Sequence, residues 1–68
     1  MKRLEVNRLR EYREMLNLSQ SEVGKLMDLN CRTISAYEVG NRMPSLATIL
    51  KFCKLYKAKP EDLYPNLK

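Results

Sequence analysis

Two short amphipathic segments lie close together between residues 19 and 45, with only three residues between them. The first segment begins with a capping box, in which the side chains of Ser19 and Glu22 each bind the other residue's backbone amide. The connection between the segments is Asp28-Leu29-Asn30. Asp28 is among the few residue types that accept a left-handed conformation, and Asn30 is a good helix N-cap. The sequence therefore predicts two helices joined by a tight turn.

The second of these helices, from Cys31 to about Val39, has few apolar residues with which to reach a core. Only Ile34 and Tyr37 face inward at helical spacing, and Gly40 is well placed to end the helix. A helix with so narrow an apolar stripe buries little of its surface. We therefore expect its leading edge to be open to solvent.

Apolar residues before the turn also recur at helical spacing. Leu9, Tyr12 and Leu16 follow an i, i+3, i+7 pattern, which predicts a first helix within residues 4–16. The helix that starts at the capping box has three apolar positions expected to face inward: Val23, Leu26 and Met27.

The second half of the chain predicts two more helices. Ser45 suits the N-cap of a fourth helix, and Pro60 suits the first position of a short fifth helix that ends before Pro65. The fourth helix is expected to bury a broad apolar face made of Leu46, Ile49, Leu50, Phe52, Cys53 and Tyr56. No segment alternates as a strand does, so we predict an all-α fold in a single domain, residues 1–68.

The length and charge of the chain limit its partners. A chain of 68 residues supports one small core, worth about 3–5 kcal/mol of net stability, so self-association would help to stabilise it. Thirteen lysines and arginines against eight acidic residues give a net charge of +5. This balance favours polyanionic partners, with nucleic acid first and an anionic membrane surface second. A basic surface that is merely solvated is the alternative.

The residue types exclude several other classes of protein. Two cysteines, Cys31 and Cys53, and no histidine cannot assemble a zinc site or a Cys/His nucleophile pair. The chain also lacks a glycine-rich phosphate loop and clustered carboxylates, so we expect neither an enzyme nor a cofactor. No apolar run approaches the roughly 18 residues that span a bilayer, and the N-terminus lacks the apolar region of a signal peptide. The expected location is the cytoplasm.

A helix, a tight turn and a second helix that crosses the first define a helix-turn-helix, predicted here over about residues 20–39. Around this motif, many positions keep one order and register: Leu18-Ser19-Gln20, Val23, Leu26, Thr33-Ile34-Ser35, Glu38, Gly40, Arg42 and Pro44-Ser45-Leu46. In these positions the chain resembles the phage-repressor and Cro-like family of helix-turn-helix proteins, also called the xenobiotic-response-element family. The resemblance extends from about Leu9 to Tyr64.

The resemblance implies a compact five-helix domain, similar to that of lambda repressor, that binds double-stranded operator DNA and regulates transcription. The expected form is a homodimer that represses transcription from a near-palindromic operator. An alternative is an antitoxin-type interaction protein, which binds a protein partner and regulates its own promoter. Apolar residues after the fourth helix are expected to form the dimer interface: Leu63, Tyr64 and Leu67.

The resemblance also assigns residues to base recognition. Arg32 is the main candidate, because a guanidinium donates two hydrogen bonds to guanine O6 and N7, worth about 1–3 kcal/mol of discrimination. Ala36 offers a methyl group that contacts a thymine methyl or lets the backbone approach closely. Three neighbours complete the expected base-reading set: Asn30, Cys31 and Thr33. A solvated surface arginine is the alternative for Arg32, and redox sensing is an alternative for Cys31.

A second set of residues is expected to bind phosphates, which positions a protein on DNA without reading its sequence. Gln20 resembles the family residue that holds a phosphate together with the helix N-terminus, although it could be only the first residue of its helix. On the other flank, Asn41, Arg42 and Met43 form a loop whose backbone and side chains have the same implied role, and Arg42 could instead brace that loop. Arg10 belongs to a basic N-terminal run that is expected to make non-specific phosphate contacts or to form a solvated face.

Two further positions are implied to be structural, and three depart from the family pattern. Arg13 and Glu38 match a partly buried ion pair that joins the first helix to the end of the third. Gly24 stands where the family usually has Ala and is expected to weaken its helix by about 1 kcal/mol. Asp28 stands where the family usually has Gly, and Cys31 replaces a more polar residue.

Overall fold

The computed structural model describes residues 7–65, and within this range it contains α-helices and no strands. The described helices are α1 (Leu9–Met15), α2 (Gln20–Met27), α3 (Cys31–Val39), α4 (Leu46–Tyr56) and α5 (Pro60–Leu63). The predicted all-α, five-helix fold is confirmed. No helix in the described range is long and apolar enough to cross a membrane.

Side-chain caps begin three of the helices where the sequence predicted them. Ser19 Oγ accepts a hydrogen bond from the Glu22 amide at 3.0 Å, and Glu22 Oε1 accepts one from the Ser19 amide at 2.7 Å. Asn30 Oδ1 accepts from the Arg32 amide at 2.8 Å, and Ser45 Oγ accepts from the Thr48 amide at 3.3 Å. These bonds satisfy amides that have no partner inside a helix, and so they fix where α2, α3 and α4 begin.

Left-handed residues end α2, α3 and α4. Gly40 ends α3 with a φ of 86°, as predicted, and Asp28 ends α2 with a φ of 58°. Lys57 ends α4 with a φ of 54°, although its side chain gives no sequence signal for this conformation. Each reversal turns the chain sharply, so that successive helices cross instead of continuing.

The described core is one cluster to which every helix contributes. Its centre is aromatic. Phe52 stacks on Tyr56 with ring centroids 5.7 Å apart and meets Tyr37 edge-on at 6.1 Å. Asn7 ties the start of α1 to the core, because its Nδ2 donates to the Tyr37 carbonyl oxygen at 2.8 Å and its Oδ1 accepts from the Leu9 amide at 3.1 Å.

Four predicted core leucines lie largely outside the core. Leu26 is 62% exposed, Leu46 is 66% exposed, and Leu16 and Leu50 are also about half exposed. On α2 the buried stripe turns away from Leu26 toward Gly24, because α3 crosses there. On α4 the apolar residues cover a wider arc than the core can bury, so its first turn and one flank stay in solvent. The predicted start of the first helix, residues 4–6, lies outside the described residues.

The C-terminal prediction also needs correction. Leu63 and Tyr64 are buried in the monomer, at 0% and 1% exposure, instead of forming an exposed dimer face. The reason is that α5 folds back on the start of α1, where the Arg8 amide donates to the Leu63 carbonyl oxygen at 2.8 Å. Both side chains therefore complete the core. Leu67, the third residue of that predicted interface, lies outside the described residues.

Candidate nucleic-acid interface

The crossing of α2 and α3 is unusually close at Gly24. A Cβ added there would lie 2.6 Å from the Leu29 carbonyl oxygen and 3.5 Å from the Cys31 amide nitrogen. The Leu29 amide also donates to the Gly24 carbonyl oxygen at 2.7 Å, which holds the turn against α2. The close approach of the turn to α2 therefore requires a glycine at position 24. From the sequence, the only effect expected of Gly24 was a weaker helix.

The leading edge of α3 is open to solvent, as expected from its narrow apolar stripe. Asn30, Cys31 and Arg32 are exposed, while Ile34 and Tyr37 are buried. The helix therefore presents its first turn outward and anchors its opposite side in the core.

Helical spacing aligns Arg32, Ala36 and Val39 on one outward face of α3. Ala36 is half-buried, and Val39 is 50% exposed. Thr33 and Ser35 are half-buried beside this face. Sequence reasoning missed Ser35 and Val39 as possible contacts, although counting positions from Arg32 would have found Val39.

Arg32 and Asn30, two of the predicted base-reading residues, differ in which side-chain hydrogen-bonding groups remain free. The Arg32 side chain forms no hydrogen bond or ion pair with any residue in the range 7–65, so its guanidinium is available to an outside acceptor. The Oδ1 atom of Asn30 already caps α3, which leaves its amide group as the donor that can reach outward. Cys31 is a free, exposed thiol.

The structure brings Arg13, Glu38 and Gln20 together at the junction of α1, α2 and α3. Arg13 Nε donates to Glu38 Oε2 at 2.7 Å, and Nη2 donates to Oε1 at 3.2 Å. A third donor of the same guanidinium, Nη1, binds the Leu18 carbonyl oxygen at 2.8 Å. Gln20 Nε2 donates to Glu38 Oε1 at 3.1 Å. The Gln20 side chain is therefore engaged inside the protein as well as lying at the first position of α2.

The charges of this network are buried. The Glu38 side chain is 3% exposed and that of Arg13 is 11% exposed. The hydrogen bond to Glu38 raises the pKa of Arg13, against the opposing effect of burial. A charge pair this deep must stay paired, because one partner alone would be a buried, uncompensated charge.

The loop after α3 is attached to the helix that it follows. Asn41, Arg42 and Met43 are exposed, and the amides of Asn41 and Arg42 both donate to the Ala36 carbonyl oxygen, at 3.0 and 3.3 Å. These two backbone amides are consequently not free to bind a phosphate, contrary to the expectation that this loop would use its backbone. The side chains of Asn41 and Arg42 remain available as donors to a phosphate, whereas the Met43 side chain has no donor.

Arg10 lies on the exposed side of α1 and pairs with Glu14, with 3.0 Å between Arg10 Nε and Glu14 Oε2. An exposed pair of this kind is worth little and exchanges easily with other partners. Among residues 7–65, no group of His, Cys, Asp and Glu side chains is placed to hold a metal ion.

The fold and this interface define a class of protein. A family model described as Helix-turn-helix matches residues 9–63, which span all five described helices. The chain belongs to this family, in its Cro/C1-type branch of DNA-binding transcription regulators.

Individual relatives share most of their length with this chain. An uncharacterized HTH-type transcriptional regulator of Bacillus subtilis, YgzD, is 34% identical over 58 residues, which cover 85% of this chain and 88% of the relative. An HTH-type transcriptional regulator of Methanocaldococcus jannaschii is 36% identical with the same coverage. The crystal structure of the restriction-modification controller protein C.AhdI from Aeromonas hydrophila superposes with a TM-score of 0.75 at 35% identity. That match covers 84% of this chain and 86% of the controller protein.

Proposed function

We propose that the protein is a sequence-specific regulator that binds a near-palindromic DNA operator as a homodimer and represses transcription. One observation carries the proposal: the first turn of α3 is exposed and bears Arg32, whose guanidinium has no partner among residues 7–65. A helix fits the major groove, and a free guanidinium at its leading edge suits guanine O6 and N7. We propose no catalytic role.

The residues divide into two roles in this proposal. Arg32 reads a guanine, and Ala36 contacts a thymine methyl or allows close approach, with Asn30, Cys31 and Thr33 beside them. Gln20, Arg10, the side chains of Asn41 and Arg42 and the backbone amide of Met43 bind phosphates on the two flanks. Contacts of the first kind determine sequence preference, and contacts of the second kind set register and overall affinity.

The dimer interface proposed here uses exposed apolar residues, because Leu63 and Tyr64 are buried. Such residues lie in the loop after α3 and on α4, and together they are called the apolar strip: Met43, Leu46 and Leu50. The strip begins in the loop after α3, so pairing two copies through it would bring two copies of α3 into one dimer. Successive major grooves require the two helices to lie about 34 Å apart. A different protein partner is the second candidate for the same strip.

Selection from random duplex DNA tests the proposal. The wild-type protein should enrich one near-palindromic motif. Arg32→Ala should relax the base preference at one position in each half-site, because the variant loses about 1–3 kcal/mol of discrimination between the preferred base and the others. Arg42→Ala should instead weaken binding to all sequences alike. Arg42 is the matched control because it is also an exposed arginine. An unchanged motif with Arg32→Ala would show that another residue sets specificity, and no enrichment by the wild type would refute operator binding.

A further inference from the structure

Glu38 is a buried carboxylate that binds one side chain from each of two other helices. Its two oxygens accept hydrogen bonds from Arg13 Nε at 2.7 Å, Arg13 Nη2 at 3.2 Å and Gln20 Nε2 at 3.1 Å. The contact with Arg13 is the expected ion pair. The contact with Gln20 was not expected from the sequence. It joins the ion pair to a proposed phosphate-binding residue.

The chemistry of these groups fixes the orientation of the Gln20 amide. An ionised carboxylate only accepts hydrogen bonds, so the nitrogen of the Gln20 amide, and not its oxygen, must face Glu38. The nitrogen carries two hydrogens, and one of them occupies the bond to Glu38. The second has no partner among residues 7–65. Gln20 is half-buried at the first position of α2, where the unpaired helix amides also lie.

We propose that Glu38 is a positioning residue for DNA binding, which holds the Gln20 amide so that its second N–H donates to a backbone phosphate. Arg13 is part of the arrangement, because its guanidinium neutralises a carboxylate that would otherwise repel the phosphate. The inference rests on the proposed function, since it requires that the protein bind DNA. It adds that the ion pair contributes to DNA affinity through Gln20 and does more than stabilise the fold.

A thermodynamic cycle separates this role from a purely structural one. The variants are Gln20→Ala, the joint replacement Arg13→Met/Glu38→Leu, and the triple variant. Replacing both charges together avoids an uncompensated buried charge, so the fold is expected to survive. The measurement is the Kd for the selected operator duplex by fluorescence anisotropy, with urea unfolding to confirm that each variant is folded. Arg8→Met/Glu11→Leu is the matched control, because it removes the same two charge types from an exposed pair at the start of α1.

The expected result is non-additive. Gln20→Ala and the joint replacement should each weaken binding by about tenfold, the lower end for a hydrogen bond to a charged group, and the triple variant should bind no more weakly than either. The control pair should bind as wild type does. Ethylation of the phosphate bound by Gln20 should interfere with the wild type and not with either variant.

A conservative variant provides a rescue and keeps the test informative if the leucine variant fails to fold. In Arg13→Met/Glu38→Gln, the new amide oxygen can still accept the Gln20 hydrogen bond without a charge, so affinity should recover most of the loss. Additive effects, unchanged affinity in the joint replacement, or tighter binding would each overturn the inference. If the wild type binds no duplex, the proposed function fails. If it binds and Gln20→Ala is neutral, only this inference fails.

Discussion

At the scale of single residues, Tyr56 is a phenol enclosed by the core. The residue is buried, and its hydroxyl has no hydrogen-bond partner among residues 7–65. Burial raises the pKa of Tyr56 to about 12; the Glu38 charge adds to this effect and the Arg13 charge opposes it. In the unfolded chain the phenol titrates near pH 10. Between about pH 10 and 12 the folded state therefore holds more protons than the unfolded state.

The sign of the pH dependence follows from that difference. The contribution of the neutral Tyr56 phenol to stability is complete below about pH 10 and is lost as the pH rises to about 12, for a total of about 3 kcal/mol at most. Tyr56→Phe should lack this loss, and at pH 7 it should be neutral or slightly stabilising because it removes an unpaired buried hydroxyl. Urea unfolding between pH 7 and 12 measures both effects. Tyr12→Phe is the control, and an identical alkaline loss in Tyr56→Phe would contradict the prediction.

Residues whose role is local were predictable from the sequence, and residues whose role depends on distant partners were not. Ser19, Asn30 and Ser45 cap helices through atoms two or three positions away, so the sequence shows both partners. Gln20 and Glu38 are 18 positions apart, and their hydrogen bond depends on how α2 packs against α3. Composition and spacing carry no sign of that contact.

At the scale of elements, the joint between α2 and α3 depends on the missing side chain of Gly24. Gly24→Ala would gain about 1 kcal/mol of helix propensity but would press a Cβ against the Leu29 carbonyl oxygen, 2.6 Å away. Because that atom belongs to the backbone of the turn and cannot easily move, the cost of overpacking should exceed the gain in helix propensity. The free energy of unfolding should fall by about 1–2 kcal/mol. Chemical denaturation measures the loss. Lys25→Ala, at the next and exposed position of α2, should change stability little, and a gain in Gly24→Ala would show that the turn relaxes.

The order and type of the helices were also predictable, whereas the rotation of each helix about its axis was not. The apolar patterns gave α2 and α4 correctly as elements, but Leu26, Leu46 and Leu50 face solvent. Each helix turns to meet its neighbours, and the close approach at Gly24 decides the rotation of α2. A pattern read along one helix does not contain that information.

At the scale of the whole molecule, the exposed apolar strip predicts self-association. Leu50→Glu places a charge on the proposed interface, so it should shift the protein to monomer and weaken operator binding. Because Leu50 is half-exposed in the monomer, the free energy of unfolding of the monomer should change little. Sedimentation equilibrium at micromolar concentration measures the change.

Leu26→Glu is the control for this experiment, since Leu26 is also exposed but lies on α2. It should leave the dimer intact. A wild-type protein that sediments only as a monomer would rule out the homodimer. The apolar strip would then be assigned to a different partner, which the antitoxin-type alternative requires.

The carbonyl oxygen of Ala36 binds the amides of both Asn41 and Arg42, and Glu38, two residues further along α3, binds Gln20. The segments that carry the two proposed sets of phosphate contacts are therefore both hydrogen-bonded to α3, which fixes the spacing of their backbones before any duplex arrives. Groove width in DNA varies with base composition, and forcing a duplex to a fixed width costs energy that depends on its sequence. Affinity should consequently respond to base pairs that no side chain touches, so that operators are distinguished by shape as well as by direct contact.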